Sequence, residues 1–175
     1  MSNGIVITDY DPVWAEEFKG IKAVLKEELA GLAVSIEHIG STSVEGLSAK
    51  PIIDIDVVIK NRNSLPQIVK QLEKLGYVHE GNLGIEDREA FARADGCVPW
   101  SDRSVLWMQH HLYVCPEDSK ELKRHLALRN FLRENPETAK DYGALKRQLA
   151  ETAEDRSAYT EAKSEFINGI LKSFL

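Results

Sequence analysis

The stretch IEHIGSTSVEGLSAKPIIDIDVVI, residues 36–59, places two aspartates inside an apolar run of isoleucine and valine. The composition of this run, which Pro51 opens, predicts a strand over residues 52–59. Side chains alternate between the faces of a strand, so Asp54 and Asp56 share one face, with Cα atoms about 6.6 Å apart. Two shielded carboxylates repel each other, and a divalent cation between them removes that repulsion. Mg²⁺ is commonly held by one or two carboxylates and substrate phosphates, so the pattern points to a metal site.

A surface strand with one polar face is the simpler alternative for this alternation, and such strands are common. The neighbouring residues on the face of the aspartates, Ile52 and Val58, are apolar. Because that face is not uniformly polar, the neighbourhood favours a site over a plain surface strand.

A glycine–serine turn precedes this strand and has the features of a phosphate site. Residues 33–40 are predicted to form a strand that ends at Gly40, and Thr42 with Glu45 matches a capping box, so a short helical turn is expected after Ser41. Glycine permits close approach of the backbone, and amide groups at a helix N-terminus attract anions. A plain capped turn is the alternative, but the Asp-x-Asp pattern in the next strand favours phosphate binding.

The order of apolar patterns predicts an α/β body followed by a helical tail. Asp11 is the expected N-cap of a first helix that runs to about Ala30. The further helices and strands are expected at 65–75 (with Ser64 as its cap), 77–80, 88–94, 104–114, 118–133, 136–150 and 155–173. We therefore expect one domain at residues 1–175, with an α/β core at 1–115 and a helical tail at 116–175 packed on it.

Composition and charge limit the classes of function. The chain has 175 residues and a net charge of −6, which argues against tight non-specific binding of nucleic acid. Residues 1–4 do not begin a secretory signal, and no apolar stretch is long enough to span a bilayer, so a cytoplasmic protein without a membrane partner is expected. CxxC, GxxxxGK[ST], HExxH and GxSxG motifs do not occur, which leaves zinc-finger, P-loop kinase, zinc peptidase and α/β-hydrolase functions without support.

The motif Gly40-Ser41 followed by Asp54-Ile55-Asp56-Val57 resembles the active-site signature of the polymerase-beta type of nucleotidyltransferase. Residues 38–59 are similar to the signature segment of the GrpB-like family, a branch of that superfamily. DYDPVWAEEF (9–18), LRNFLRENPETAKDYGALKRQLA (128–150) and DRSAYTEAKSEF (155–166) resemble its terminal segments, so the resemblance covers nearly the whole chain. It implies an α+β fold, a nucleotidyltransferase-like mixed β-sheet flanked by helices, with a C-terminal helical extension.

The resemblance also implies roles for single residues. The turn at Gly40, Ser41 and Thr42 would hold nucleotide phosphates, while Asp54 and Asp56 would bind Mg²⁺. The substrate would be a nucleoside triphosphate, with ATP as the first expectation.

Basic and aromatic residues outside the motif could complete the nucleotide site. Lys50, just before the metal strand, and Arg129, in the tail, are the expected additional phosphate ligands, and a solvated lysine and a surface ion pair are the respective alternatives. Further tail residues could also reach a nucleotide, with a surface ion pair or helix packing as the alternative for each, namely Arg133, Tyr142, Lys146, Tyr159 and Lys163.

Catalysts of this type usually carry a third carboxylate on a later neighbouring strand, and the predicted strand 104–114 has none. By alternation, His111 and Tyr113 share one face of that strand, and His110 lies on the other. His111 matches a histidine that is usual in the family and could replace the third acid, whereas core packing is the expected role of His110. The remaining candidates for the third acid are Glu86, Asp87 and Glu89.

We therefore expect a Mg²⁺-dependent nucleotidyltransferase that acts on a small molecule or a protein as acceptor. The first alternative is a nucleotide-binding or sensor module without turnover, which the missing third acid favours. The second alternative is a metal-dependent phosphohydrolase that uses His111.

Overall fold

Five strands form one mixed sheet in the order β1-β2-β5-β4-β3 in a computed structural model that describes residues 4–102 and 104–174. The strands are β1 (Ala33–Ile39), β2 (Ile53–Ile59), β3 (Tyr77–Gly81), β4 (Glu89–Arg93) and β5 (His110–Pro116). Strands β2 and β5 are parallel, and the other neighbouring pairs are antiparallel. Residues 1–3, on which the expectation about a secretory signal partly rests, lie outside the described residues.

The helices are α1 (Val13–Glu28), α2 (Leu65–Lys74), α3 (Lys120–Glu134), α4 (Pro136–Thr152) and α5 (Arg156–Leu171). Single 3₁₀ turns lie at Ser41–Ser43 and Arg62–Ser64. The predicted α+β fold, with a mixed sheet and a C-terminal helical extension, is confirmed. Among the described residues, none of these helices combines the length and the apolar character that crossing a bilayer requires.

The main core lies between one face of the sheet and the helices α1 and α2. Strands β2 and β5 contribute the buried side chains of Ile53, Ile55, Val57, Leu112 and Val114 to this core. Helices α1 and α2 contribute those of Ile21, Leu25, Ile68 and Leu72. The opposite face of β2 carries Asp54 and Asp56 and lies towards the tail helices. A smaller apolar cluster joins Val44 and Leu47, after the glycine–serine turn, to residues of α3 and α4.

The tail helices α3 and α5 begin at side-chain caps, whereas α4 begins without one. Ser119 accepts a hydrogen bond from the Leu122 amide at the start of α3, and Asp155 accepts one from the Ala158 amide at the start of α5. Asp11 accepts one from the Val13 amide, as expected for the start of α1, although that helix ends at Glu28 rather than near Ala30.

Three local expectations were wrong. The strand expected over 104–114 begins only at His110, because the segment before it bonds outside the sheet: the Trp107 amide donates to Gly96 O and the Met108 amide to Glu17. Ser64 makes no capping hydrogen bond to α2, since Asn61 caps the 3₁₀ turn that precedes this helix.

The third concerns the capping box after Ser41. The turn at Ser41–Ser43 has no side-chain cap, because the Thr42 hydroxyl bonds the Nε2 atom of His38 instead, at 2.9 Å.

Candidate functional site

Gly40 brings the end of β1 directly against the first aspartate of β2. Its backbone has φ 70° and ψ −175°, a region that is open essentially to glycine alone. A Cβ atom at this position would lie 2.5 Å from Asp54 Oδ2, so any larger residue would collide with the carboxylate. The glycine–serine turn and the Asp-x-Asp strand are therefore one structural unit.

The two aspartates share a face but differ in environment. Asp54 is partly exposed, and its Oδ1 atom accepts a hydrogen bond from His111 Nδ1 at 3.0 Å. Asp56 is fully buried, and its Oδ2 atom lies 2.6 Å from His125 Nδ1. Its Oδ1 atom is buried without a hydrogen-bond partner. Burial raises the pKa of Asp56, and the hydrogen bond from His125 opposes that rise.

His125, on α3, is a site residue that the sequence analysis missed. Its second ring nitrogen, Nε2, lies 3.2 Å from Glu121 Oε1, so the ring bridges two carboxylates. Burial disfavours the charged imidazole, but hydrogen bonds to Asp56 and Glu121 outweigh it and raise the pKa of His125 to about 9. The only sequence signal for this role is the Glu121–His125 spacing of four, which places both side chains on one helix face.

Strand β5 carries no acid beside the aspartates. The register pairs Asp54 with His111 and Asp56 with Tyr113, so a histidine and a tyrosine lie beside the aspartates on this strand. Of the other candidates, Asp87 is ion-paired with Arg62, Glu89 is hydrogen-bonded to His79, and Glu86 is exposed outside the sheet.

No group of three or more acidic, histidine or cysteine side chains is arranged for a metal ion within residues 4–102 and 104–174. A site for Mg²⁺ would therefore be completed by phosphate or water oxygens. The donor set fits such an ion, because Asp54 lines a cavity and Asp56, on the same face of β2, has a buried Oδ1 atom that lacks a partner.

A cationic cavity of about 290 Å³, here called the lysine cavity, adjoins Asp54 and the turn at Ser41 and Thr42. Three lysines from different elements line it, namely Lys50, Lys146 and Lys163. Lys146 is only 2% exposed, and its Nζ atom has no hydrogen-bond partner. Burial, with the nearby cations, lowers the pKa of Lys146 to about 7. Such an accumulation of positive charge is typical of a site for a polyanion.

Aromatic rings hold two of these lysines in place. The Lys146 ammonium lies 4.6 Å from the centre of the Tyr142 ring, and the Lys50 ammonium lies 4.8 Å from that of Tyr159. Lys50 is thus not a freely solvated side chain.

A second cavity of about 240 Å³, here called the central cavity, extends from the turn across Asp54 to Tyr113. One part of its wall is apolar and the other is charged. The apolar part consists of Ile39, Leu128, Leu132, Tyr142 and Ile167, and the charged part includes Arg88, His125 and Arg129. The two cavities share Ser41, Asp54, Tyr113 and Lys163, so a single ligand can extend through both.

Arg129 lies at the central cavity but is engaged with protein atoms. Its Nη1 atom donates to Glu37 Oε2 at 2.7 Å and to the carbonyl of His38 at 3.2 Å. Arg133 likewise donates twice to the carbonyl of Ser43. These bonds tie α3 to the strand and turn that carry the motif, so both arginines position the site.

The buried histidines His38 and His110 make structural contacts beside the site. His38 stacks on Phe18 at 4.6 Å. The Nδ1 atom of His110 donates to the carbonyl of Met108, and Nε2 accepts from the Tyr77 hydroxyl at 2.7 Å. Burial lowers the pKa of both histidines to about 4, so they are neutral.

Comparisons with known proteins identify the family of this chain. The model of the family described as "GrpB protein" matches residues 4–173. The UPF0157 protein YqkA of Bacillus subtilis is 33% identical over 159 residues, which cover 90% of this chain but only 43% of that protein. The crystal structure of the conserved protein GrpB from Enterococcus faecalis has a TM-score of 0.78 and 32% identity, over 97% of this chain and 99% of that one.

A more distant likeness concerns the fold alone. A crystal structure of the Cid1 poly(U) polymerase with MgGTP bound has a TM-score of 0.51 and 10% identity, over 82% of this chain and 44% of Cid1. The family inferred from residues 38–59 is thus confirmed, together with a nucleotidyltransferase-like fold. The chain belongs to the GrpB family.

Proposed function

We propose that this protein transfers a nucleotidyl group from a nucleoside triphosphate, with ATP as the first candidate, to a small-molecule or protein acceptor. The observation that carries the proposal is the position of the lysine cavity. Three lysines, one of them buried without a hydrogen-bond partner, lie beside Asp54 and the glycine–serine turn. A metal-bound triphosphate would neutralise both charge clusters at once, the carboxylates through the metal and the lysines through the phosphates.

The proposed arrangement assigns each part of the nucleotide to a different wall. The β- and γ-phosphates occupy the lysine cavity against Lys50, Lys146 and Lys163, and the Ser41 hydroxyl contacts the phosphate next to Asp54. The nucleoside lies against the apolar wall of the central cavity, near Leu128 and Leu132.

Asp54 and Asp56 would hold Mg²⁺, which supplies charge neutralisation and orientation of the transferred phosphate when it is bound. His125 hydrogen-bonds the Oδ2 atom of the buried Asp56, which opposes the rise in pKa that burial causes, and it leaves Oδ1 for the cation. His111 donates from Nδ1 to Asp54, so its Nε2 atom can accept the proton of the attacking hydroxyl. Pyrophosphate would then leave through the lysine cavity.

One observation favours a second candidate, a nucleotide-binding module without turnover. His111 and Tyr113 occupy the register positions beside the aspartates, so the strand that usually supplies a third acid supplies none. The same His111 could instead activate water, which would make the protein a phosphohydrolase.

Titration calorimetry with α,β-methylene-ATP, an analogue that cannot release pyrophosphate, tests the nucleotide site. We expect binding that requires Mg²⁺ and that Asp54→Asn weakens about tenfold or more, because a charge-assisted metal contact is lost. Asp118→Asn, which changes an exposed carboxylate, is the matched control and keeps the affinity of the wild type. Equal affinity of Asp54→Asn and wild type would refute the site.

Product analysis with α-labelled ATP then separates the three functions. Transfer of the label to an acceptor with release of pyrophosphate indicates the transferase. Labelled AMP or ADP formed with water indicates the hydrolase. Binding without either product favours the module without turnover.

A further inference from the structure

We infer that the acceptor carries an anionic group, a phosphate or a carboxylate, and that Arg88 binds this group at the edge of the central cavity. The inference rests on the proposed function, because it concerns the second substrate of that transfer.

Arg88 has the surroundings of a binding residue rather than of a structural one. It lies directly before β4 and lines the central cavity, and its guanidinium is 4.4 Å from the centre of the Tyr113 ring. Its Nε atom is buried and has no hydrogen-bond partner. Stacking uses the face of a guanidinium and leaves its N–H edge available, and that edge is suited to bidentate binding of phosphate or carboxylate.

Arg93, five residues later on β4, has a structural role and serves as a comparison. Its guanidinium donates to the carbonyls of Val98, Gly96 and Trp107, and it thereby holds the segment that leads into β5. Arg88 has no comparable set of backbone acceptors among the described residues, so the fold does not use its donors.

The position of Arg88 relative to the lysine cavity assigns its ligand to the acceptor. The triphosphate is assigned to the lysine cavity, which Lys50 and Lys146 line, whereas Arg88 lines the central cavity and not the lysine cavity. An anion held at Arg88 is therefore separate from the leaving pyrophosphate. Tyr113, whose ring supports the guanidinium, lines both cavities, so an acceptor anchored at Arg88 adjoins the nucleotide.

Binding of simple anions to the nucleotide complex tests this inference. Wild-type protein is saturated with Mg²⁺ and α,β-methylene-ATP, so that the lysine cavity is filled, and is then titrated with inorganic phosphate or with acetate. We expect at least one of the two anions to bind, and which one binds identifies the acceptor group. Arg88→Gln should weaken that binding about tenfold or more, while the dissociation constant of the analogue changes less than about twofold.

Two further variants separate charge from geometry. Lys19→Gln removes an exposed cation of α1, which is ion-paired with Glu16, and should bind both the analogue and the anion like wild type. Arg88→Lys keeps the charge without the planar fork and should give intermediate binding, and it replaces Arg88→Gln if that variant melts below wild type.

The outcomes distinguish this inference from the proposed function. If the analogue binds but neither anion does, or if Arg88→Gln binds the anion as tightly as wild type, the acceptor inference is wrong and the nucleotide site stands. If wild type does not bind the analogue, the proposed function fails and the inference fails with it.

Discussion

Replacement of Lys146 by methionine should stabilise the protein in the absence of ligand. Lys146 is 2% exposed, its ammonium makes no hydrogen bond, and burial lowers its pKa from 10.5 to about 7. At about 1.4 kcal/mol for each pKa unit, keeping this group charged costs the folded state up to about 5 kcal/mol. Methionine has a similar length without the charge, so we expect Lys146→Met to gain about 2 to 4 kcal/mol at pH 7.

The same reasoning predicts a pH dependence of this gain. Below pH 7 the lysine is charged in both folded and unfolded chains, and its full cost is present. Between pH 7 and about 10.5 only the unfolded chain keeps the proton, so the stability of wild type rises with pH relative to Lys146→Met. The advantage of the variant should therefore shrink as the pH approaches 10.

Urea unfolding of wild type, Lys146→Met and the exposed control Lys19→Met, at several pH values between 6 and 10, measures this effect. The control should change the free energy of unfolding by less than about 0.5 kcal/mol. Addition of Mg²⁺ and ATP should then stabilise wild type more than Lys146→Met, because only wild type has the Lys146 ammonium to bind the triphosphate. A variant that is less stable than wild type at pH 7, or a gain that is the same at pH 7 and pH 10, would show that burial of the Lys146 charge does not destabilise the fold.

Urea unfolding of three further variants tests the structural roles of Gly40, His110 and Arg129. Gly40→Ala should lose about 2 to 4 kcal/mol, from backbone strain and collision with Asp54, whereas Gly46→Ala, also at positive φ but in open space, should lose less. The free energy of unfolding should fall from pH 6.5 towards pH 4, because His110 is protonated in the unfolded chain but stays neutral in the folded protein. His110→Gln should reduce the slope of the free energy of unfolding against pH by about 1.4 kcal/mol per pH unit. Arg129→Met should lose about 1 to 3 kcal/mol, since it leaves Glu37 without its partner.

Each of these expectations can fail in a recognisable way. Equal losses for the two glycine variants would mean that contact with the carboxylate is unimportant. If the free energy of unfolding depends on pH in the same way in wild type and His110→Gln, the pKa of this histidine is not lowered in the folded protein. A stable Arg129→Met that no longer binds the ATP analogue would return Arg129 to the role of a phosphate ligand.

Local periodicity was sufficient to predict the arrangement of the motif. Alternation along β2 separates Ile53 and Ile55, in the main core, from Asp54 and Asp56, and the same rule places His111 on the functional face of β5. These features depend only on neighbouring residues in one strand, so the sequence contains all the information that they require.

Partners from distant parts of the chain could not be predicted in this way. His125 meets Asp56 across 69 residues, and this contact depends on how α3 packs on the sheet. Lys146 has the residue type of an exposed helical position, but packing of α4 against α5 and the turn buries it. The late start of β5 has the same origin, because Trp107 packs against Gly20 of α1 rather than extending the strand.

A crystal structure with Mn²⁺ in place of Mg²⁺ and with α,β-methylene-ATP would show whether Asp54 and Asp56 hold the cation. The anomalous scattering of Mn²⁺ distinguishes the ion from water. We expect an ion about 2.1 Å from carboxylate oxygens of both Asp54 and Asp56, including the Oδ1 atom of Asp56, with the triphosphate against Lys50, Lys146 and Lys163. An ion elsewhere, or a nucleotide bound while Asp56 Oδ1 still lacks a partner, would contradict this expectation.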